Sequence, residues 1–267
     1  MAHVTKSIDE LVAENAGIDR QETFDKLWAL NTELFEKVRD RLELTLDPSC
    51  EGLMPYSGKD GAAGYLSAWV GPKVDWLIFS WTGNPKASFT NMHLTINLAG
   101  NIDVPHFGYA LGTTPDLFFY QDYMPRKDLW TNPEYAEKYL GGDSNDAYVA
   151  MERNENFHHF ISRHMYTRVA QSPCSLVYSA DVTDENIEDL RKVSHEQLDR
   201  WLDWVDQAEP IPPSEAKLLA ARDLQIRKTI TQGDPANIVV ENLFGKELAD
   251  RLVSSLWGEN RQLPRPV

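Results

Sequence analysis

Between Tyr65 and Met124 the chain runs through short aromatic and β-branched stretches separated by turn residues. The turns are Gly71-Pro72-Lys73, Thr82-Gly83-Asn84-Pro85, Ala99-Gly100-Asn101 and Gly112-Thr113-Thr114-Pro115. Glycine and proline at that spacing reverse the chain every ten or so residues, so this region reads as consecutive antiparallel strands. A further strand is expected over Ser175 to Ala180. In front of the strands, Phe24, Leu27, Trp28, Leu34, Phe35, Val38 and Leu42 recur at helical spacing and predict a packed helix over about 22–44. From Thr183 the chain turns helical to about 257, interrupted at Pro210-Ile211-Pro212-Pro213 and Gly233-Asp234-Pro235. Helix, meander, then helices predicts one α+β domain over 1–267, its sheet within about 65–180 and covered by helices.

The last segment carries its own signal. Asp234 before Pro235 predicts a helix start, with the carboxylate capping free N–H groups and proline at the first helical position. Val240, Leu243, Phe244, Leu248, Leu252, Leu256 and Trp257 then form one buried stripe.

A net charge of −15 argues against nucleic acid or an anionic membrane as the main partner. Cys50 and Cys174 stand far apart, which predicts neither a disulfide framework nor a cysteine metal site. No stretch approaches the ~20 apolar residues of a membrane span, and the first residues lack a signal-peptide core. The expected location is therefore cytoplasmic, or the plastid stroma for a trimmed mature chain.

Two strands present polar faces. His93, Thr95 and Asn97 alternate with Met92, Leu94, Ile96 and Leu98, so the polar set is either wetted or lines a pocket. In the next strand His106, Gly108 and Ala110 share one face, which either leaves room for a bulky ligand or lies under a helix. His158, His159 and His164 lack the i, i+4 spacing of a helical metal site, and no metal is expected. Phosphate-loop, dinucleotide and serine-hydrolase motifs are absent.

Three segments together resemble the ferredoxin-dependent bilin reductases and red chlorophyll catabolite reductase. Asp103-Val104-Pro105-His106-Phe107-Gly108 is similar to the family's Asp-x-Pro-x-Phe-Gly strand. Pro125-Arg126-Lys127-Asp128-Leu129 with Asn132-Pro133-Glu134-Tyr135 is similar to a stretch of the chlorophyll-catabolite branch. Asp234-Pro235-Ala236 through Phe244-Gly245-Lys246-Glu247 is similar to the last helix of the bilin reductases.

The resemblance implies an α/β/α sandwich, an antiparallel sheet with helices on both faces and a linear tetrapyrrole between sheet and carboxyl-terminal helices. It implies no bound cofactor, electrons from reduced ferredoxin, and proton donation by side chains. The family's helix aspartate falls on Asp234, and its strand histidine, counted back without gaps, on His93. Its strand aspartate falls on Ala110, a departure that His106 on the same face is expected to compensate. Asn97, Asp103, Ala110, Arg126, Arg222 and Arg227 complete the expected substrate-binding set, the arginines as carboxylate grips. Ferredoxin docking on so acidic a chain requires a local basic patch. Beside reduction of biliverdin or a related bilin stand two alternatives: a non-reducing bilin binder, motivated by Ala110, and an enzyme of this fold with an unrelated substrate.

Overall fold

The structure, a computed structural model, describes residues 5–6, 8–14 and 17–266. Residues 1–4, on which part of the signal-peptide reading rests, lie outside the described residues. In chain order the elements are α1 (Ile8–Glu14), α2 (Gln21–Arg41), β1 (Thr45–Asp47), β2 (Tyr56–Ser57), β3 (Ala63–Gly71), β4 (Val74–Gly83), β5 (Thr90–Leu98), β6 (His106–Thr113) and β7 (Leu117–Met124). They continue with α3 (Pro133–Leu140), α4 (Asp143–Arg153), β8 (Phe157–His159), α5 (Met165–Val169), β9 (Leu176–Ala180), α6 (Asp184–Asp206), α7 (Pro213–Gly233), α8 (Asn237–Phe244) and α9 (Lys246–Trp257). Among the described residues no helix is long and apolar enough to cross a membrane.

The strands form one antiparallel sheet in the order β1-β3-β4-β5-β6-β7-β9-β8, with β2 also paired to β3. From β3 to β7 the order in space is the order in sequence, as short turns between alternating strands dictate. Helices cover both faces, so the fold is the expected α/β/α sandwich.

The strand period of two sorts side chains between these layers. Met92, Leu94 and Ile96 of β5 and Phe107, Tyr109 and Leu111 of β6 are fully buried on the face covered by α2 and α6. There α2 contributes Leu27, Leu30, Leu34 and Val38, and its Phe35 stacks on Phe79 of β4 with centroids 4.3 Å apart. Thr183 caps α6 by accepting from Asn186 N at 3.1 Å, and Trp201 of α6 donates its indole N–H to Pro105 O at 2.9 Å. On the opposite face Trp76, Ile78, Leu66 and Ala68 pack with Phe244 and Leu252 from α8 and α9. Trp76 donates to Ser255 O at 3.1 Å, which ties the sheet to the closing helix.

The carboxyl-terminal region departs from the predicted single helix in two ways. The stripe from Val240 to Trp257 is divided at Gly245, whose φ of +77° and ψ of +161° suit glycine alone, so α8 and α9 form a bent pair. Helix α8 begins at Asn237, not at Pro235. Asp234 closes the turn between α7 and α8: its Oδ1 accepts from Ala236 N at 2.8 Å and its carbonyl from Asn237 N at 3.1 Å. The side chain caps a turn, as its residue type allows, and the helix proper starts later.

Candidate functional site

On the α7 side of the sheet a largely apolar cavity of about 280 Å³ opens between the strands and the covering helices. This is near the lower end of the ~300–1,000 Å³ usual for small-molecule sites, and the cavity continues to solvent at its mouth. Its sheet wall consists of His93, Thr95 and Asn97 from β5, Gly108 and Ala110 from β6, and Tyr120 and Met124 from β7. The helical wall comes from Tyr166 and Ala170 at α5, Arg227 and Ile230 of α7, and Asp234, Pro235 and Ala236 at the α7–α8 turn. Ile8 and Leu11 of α1 close one side. Alternation explains the sheet wall: the neighbours of these residues are the core side chains under α2 and α6. Of the two sequence readings for the His106–Ala110 face, room for a ligand holds at Ala110 and burial under a helix holds at His106, while Gly108 borders the cavity beneath the Tyr120 phenol.

His93 and Ala110 face each other across the β5–β6 ladder. His93 is half-buried, its Nε2 3.3 Å from Asn91 Nδ2. Desolvation pushes its pKa down to about 4, so the imidazole is neutral near pH 7. Asp234 shows the opposite shift. Desolvation among the surrounding walls raises its carboxyl above the ordinary range, against the Ala236 N–H and the nearby His164. Much of its surface is exposed, at the cavity rim. A carboxyl held toward its protonated form on one wall and a neutral imidazole on the other are suited to proton donation and hydrogen bonding respectively. Asn97 also lines the cavity, its amide donating to Trp76 O at 3.3 Å.

Arg227 lies in the cavity wall and is buried, with Nη2 2.9 Å from Asp75. Arg261 and Arg265 also bind Asp75, at 2.7 and 2.6 Å, so three guanidinium groups share one carboxylate. The Nε of Arg227 is buried without a hydrogen-bond partner. A surplus of positive charge at a cavity wall with an unused donor suits an anionic ligand group.

The remaining expected site residues lie outside the cavity lining. His106 sits at the far end of β6, where Nδ1 accepts from Leu98 N at 2.9 Å and Nε2 faces Asp223 at 3.6 Å. Burial, with Arg126 assisting, pushes its pKa down to about 4. Its placement under α7 removes the compensating role expected for it beside Ala110. Arg126 is fully buried and donates to Asp223, Ile102 O and Ala99 O at 2.6–2.9 Å, so it is a structural clamp. Arg222 donates to Arg126 O at 2.6 Å, and Asp103 pairs with Lys127. His159 lies on β8 and contacts Glu152 at 3.1 Å. Among the described residues no three His, Cys, Asp or Glu side chains are grouped to hold a metal ion.

Sequence reasoning missed Tyr120 and Asp122. Both fall on the cavity face of β7, the strand next to Ala110, and the face reading stopped at β6. The available signal was a lone carboxylate in a strand rich in aromatic residues, Leu117-Phe118-Phe119-Tyr120-Gln121-Asp122-Tyr123. A carboxylate there has a specific partner or a task.

The fold resembles a crystal structure of tomato phytochromobilin synthase in complex with biliverdin, with a TM-score of 0.71, 15% identity, and coverage of 88% of this chain and 84% of that one. In sequence, the red chlorophyll catabolite reductase of Hordeum vulgare is 26% identical over 185 residues, 64% of this chain and 89% of that protein. Red chlorophyll catabolite reductase 1 of Oryza sativa subsp. japonica is 24% identical over 184 residues, and that of Arabidopsis thaliana 23% over 200. Of these two the chain spans 56% and 62%. The rice and Arabidopsis proteins are chloroplastic, a finding that overturns the cytoplasmic expectation. The model of the red chlorophyll catabolite reductase family matches residues 28–257, most of the chain. The chain therefore belongs to the red chlorophyll catabolite reductase family.

Proposed function

We propose that this protein is an oxidoreductase that reduces a linear tetrapyrrole, biliverdin or a related chlorophyll catabolite, taking electrons singly from reduced ferredoxin. Saturating one double bond consumes two electrons and two protons, and the side chains of the cavity govern the protons. Family membership, and a fold shared with a protein solved with biliverdin, support the substrate class. The observation that carries the reading is the opposition of His93 on the sheet to Asp234 on the helical wall, across a cleft floored by Gly108 and Ala110. The small side chain of Ala110 admits a flat conjugated ligand there.

Asp234 supplies a proton from the helix side, aided by the environment that favours its neutral form. His93, neutral, hydrogen-bonds the tetrapyrrole and fixes its depth on the sheet. Arg227 directs its free Nε to a propionate, and Asn97 contributes a second polar contact from β5.

The test is anaerobic: purified protein with biliverdin, then ferredoxin, its reductase and NADPH, followed by absorbance and chromatography. A reduced bilin absent from the control without protein is the expected result. The second reading, a bilin-binding protein without reductase activity, is favoured by one observation, alanine at position 110. Its signature is biliverdin that binds with a changed spectrum and persists unreduced.

A further inference from the structure

Resting on the reductase reading, one more feature of the cavity finds a task. Directly across the β6–β7 ladder from Ala110 stands Tyr120, and across from Gly108 stands Asp122. Tyr120 lines the cavity. A β-carbon at position 108 would lie 2.9 Å from the Tyr120 hydroxyl, so the phenol fills the space that the missing side chain leaves. Tyr120 and Asp122 are two residues apart on one face of the strand, and the phenol leans over Gly108, the residue opposite Asp122, which brings it toward the carboxyl.

Asp122 is buried, 2% exposed, and is held from behind. Ser172 donates its N–H to Oδ2 at 2.8 Å and its hydroxyl to Oδ1 at 2.5 Å. Among the described residues no basic side chain pairs with Asp122. Besides Tyr120, the titratable groups near enough to interact with it are Cys174 beyond Ser172 and Tyr123, which lies on the other face of the same strand against α6. Burial pushes its carboxyl up to about 6, with Ser172 and Tyr120 acting in the other direction. The same burial and the neighbouring carboxylate raise the Tyr120 phenol well above its ordinary range, which keeps its proton in place until a strong base appears.

We propose that Tyr120 is the sheet-side proton donor of this chain, with Asp122 positioning its hydroxyl and resupplying its proton. The acid absent from position 110 is thus replaced from the adjacent strand by two side chains in series. After one electron arrives from reduced ferredoxin, the tetrapyrrole is a radical anion. The O–H bond of Tyr120 breaks as a bond to hydrogen forms on the tetrapyrrole. The phenolic oxygen takes the proton of the Asp122 carboxyl, and the resulting carboxylate rests on the two donors of Ser172. A proton drawn from the solvent pool then returns to the Asp122 carboxylate before the second electron.

The experiment is anaerobic single-turnover reduction of biliverdin by wild type, Tyr120→Phe, Asp122→Asn and the double variant Ala110→Asp/Tyr120→Phe. Radical decay is followed by absorbance and electron paramagnetic resonance, and biliverdin affinity by titration. Tyr120→Phe is expected to bind biliverdin within about threefold of wild type. Its radical should persist with decay slowed on the order of 100-fold, the lower end of what a positioned acid contributes. Asp122→Asn keeps an acceptor for Ser172 and should abolish the fall in decay rate that wild type shows as pH rises through about 6. Restoring a carboxyl at 110 should recover at least tenfold of the loss in Tyr120→Phe. Wild-type decay rates in Tyr120→Phe, or an unchanged pH profile in Asp122→Asn, would overturn the assignment. A wild-type chain that binds biliverdin yet forms no product overturns the reductase reading, and this inference with it.

Discussion

Arg126 and Asp223 form a buried charge pair in which Nε and Nη2 of the arginine both donate to Oδ2, at 2.9 and 2.7 Å. The pair joins the segment after β7 to the middle of α7, and the other arginine donors reach the β5–β6 connection. Removing one partner strands a charge among satisfied carbonyls. Asp223→Ala should therefore cost about 3–5 kcal/mol in urea unfolding, while Arg126→Met/Asp223→Leu should recover much of that loss. Burial works to raise the Asp223 carboxyl, but His106 and Arg126 outweigh it and hold it below its ordinary range. Its contribution is thus complete above the unfolded carboxylate range and fades as pH falls through the lower folded value. Wild type should lose stability on acidification by an increment that Asp223→Asn lacks.

Asp234→Asn separates cap from acid. Asparagine can accept the Ala236 N–H, so the α7–α8 turn should persist. Because partial desolvation between the cavity walls raises the Asp234 carboxyl, ionisation opposes folding: stability from this group is present below the unfolded value and lost as pH rises through the folded one. Asp234→Asn should be at least as stable as wild type at pH 7, a gain that vanishes in acid. Thermal melts at several pH values check this, and bilin reduction should fall at least 100-fold. Undiminished turnover would leave Asp234 a turn residue only.

Arg227→Gln tests the anion-binding wall. Arg261 and Arg265 remain on Asp75, so the carboxylate keeps two partners and the fold should survive. Affinity for biliverdin should fall about tenfold, equivalent to ~1.4 kcal/mol, while affinity for its dimethyl ester should be unchanged. Equal loss for both ligands would deny a propionate contact. Absorbance titration is sufficient.

Gly245→Ala probes the joint between α8 and α9. No atom lies within 4 Å of the β-carbon it would add, so space is not the obstacle. Its backbone conformation is essentially restricted to glycine, and the substitution should cost about 1–3 kcal/mol in urea unfolding. A loss below ~0.5 kcal/mol would mean the joint relaxes freely.

The sheet was legible because its information is local: turn residues between alternating strands fix the order, and alternation fixes which side of β5 holds His93. Arg126 illustrates what was not. A basic residue in a motif reads as a substrate grip, and only a partner 97 positions later turns it into a clamp. Asp122 depends likewise on Ser172, fifty positions away. The division at Gly245 was hidden because both flanking segments keep helical spacing, so the stripe seemed continuous. His106 shared the correct face but lay beyond the end of the cavity, a matter of depth along the strand that alternation does not encode.

Helix α7 carries Asp223 in its middle and Asp234 just past its end. Eleven positions separate them, a rise of about 16 Å along a rod that Arg126 pins at one point. Inserting one residue between them would turn the far end by about 100° and advance it about 1.5 Å. The carboxyl would leave the cavity while the clamp stayed intact. The distance in sequence from pin to tip is therefore a gauge length for this wall, and changing it could re-aim the tip over the ligand without altering the sheet beneath.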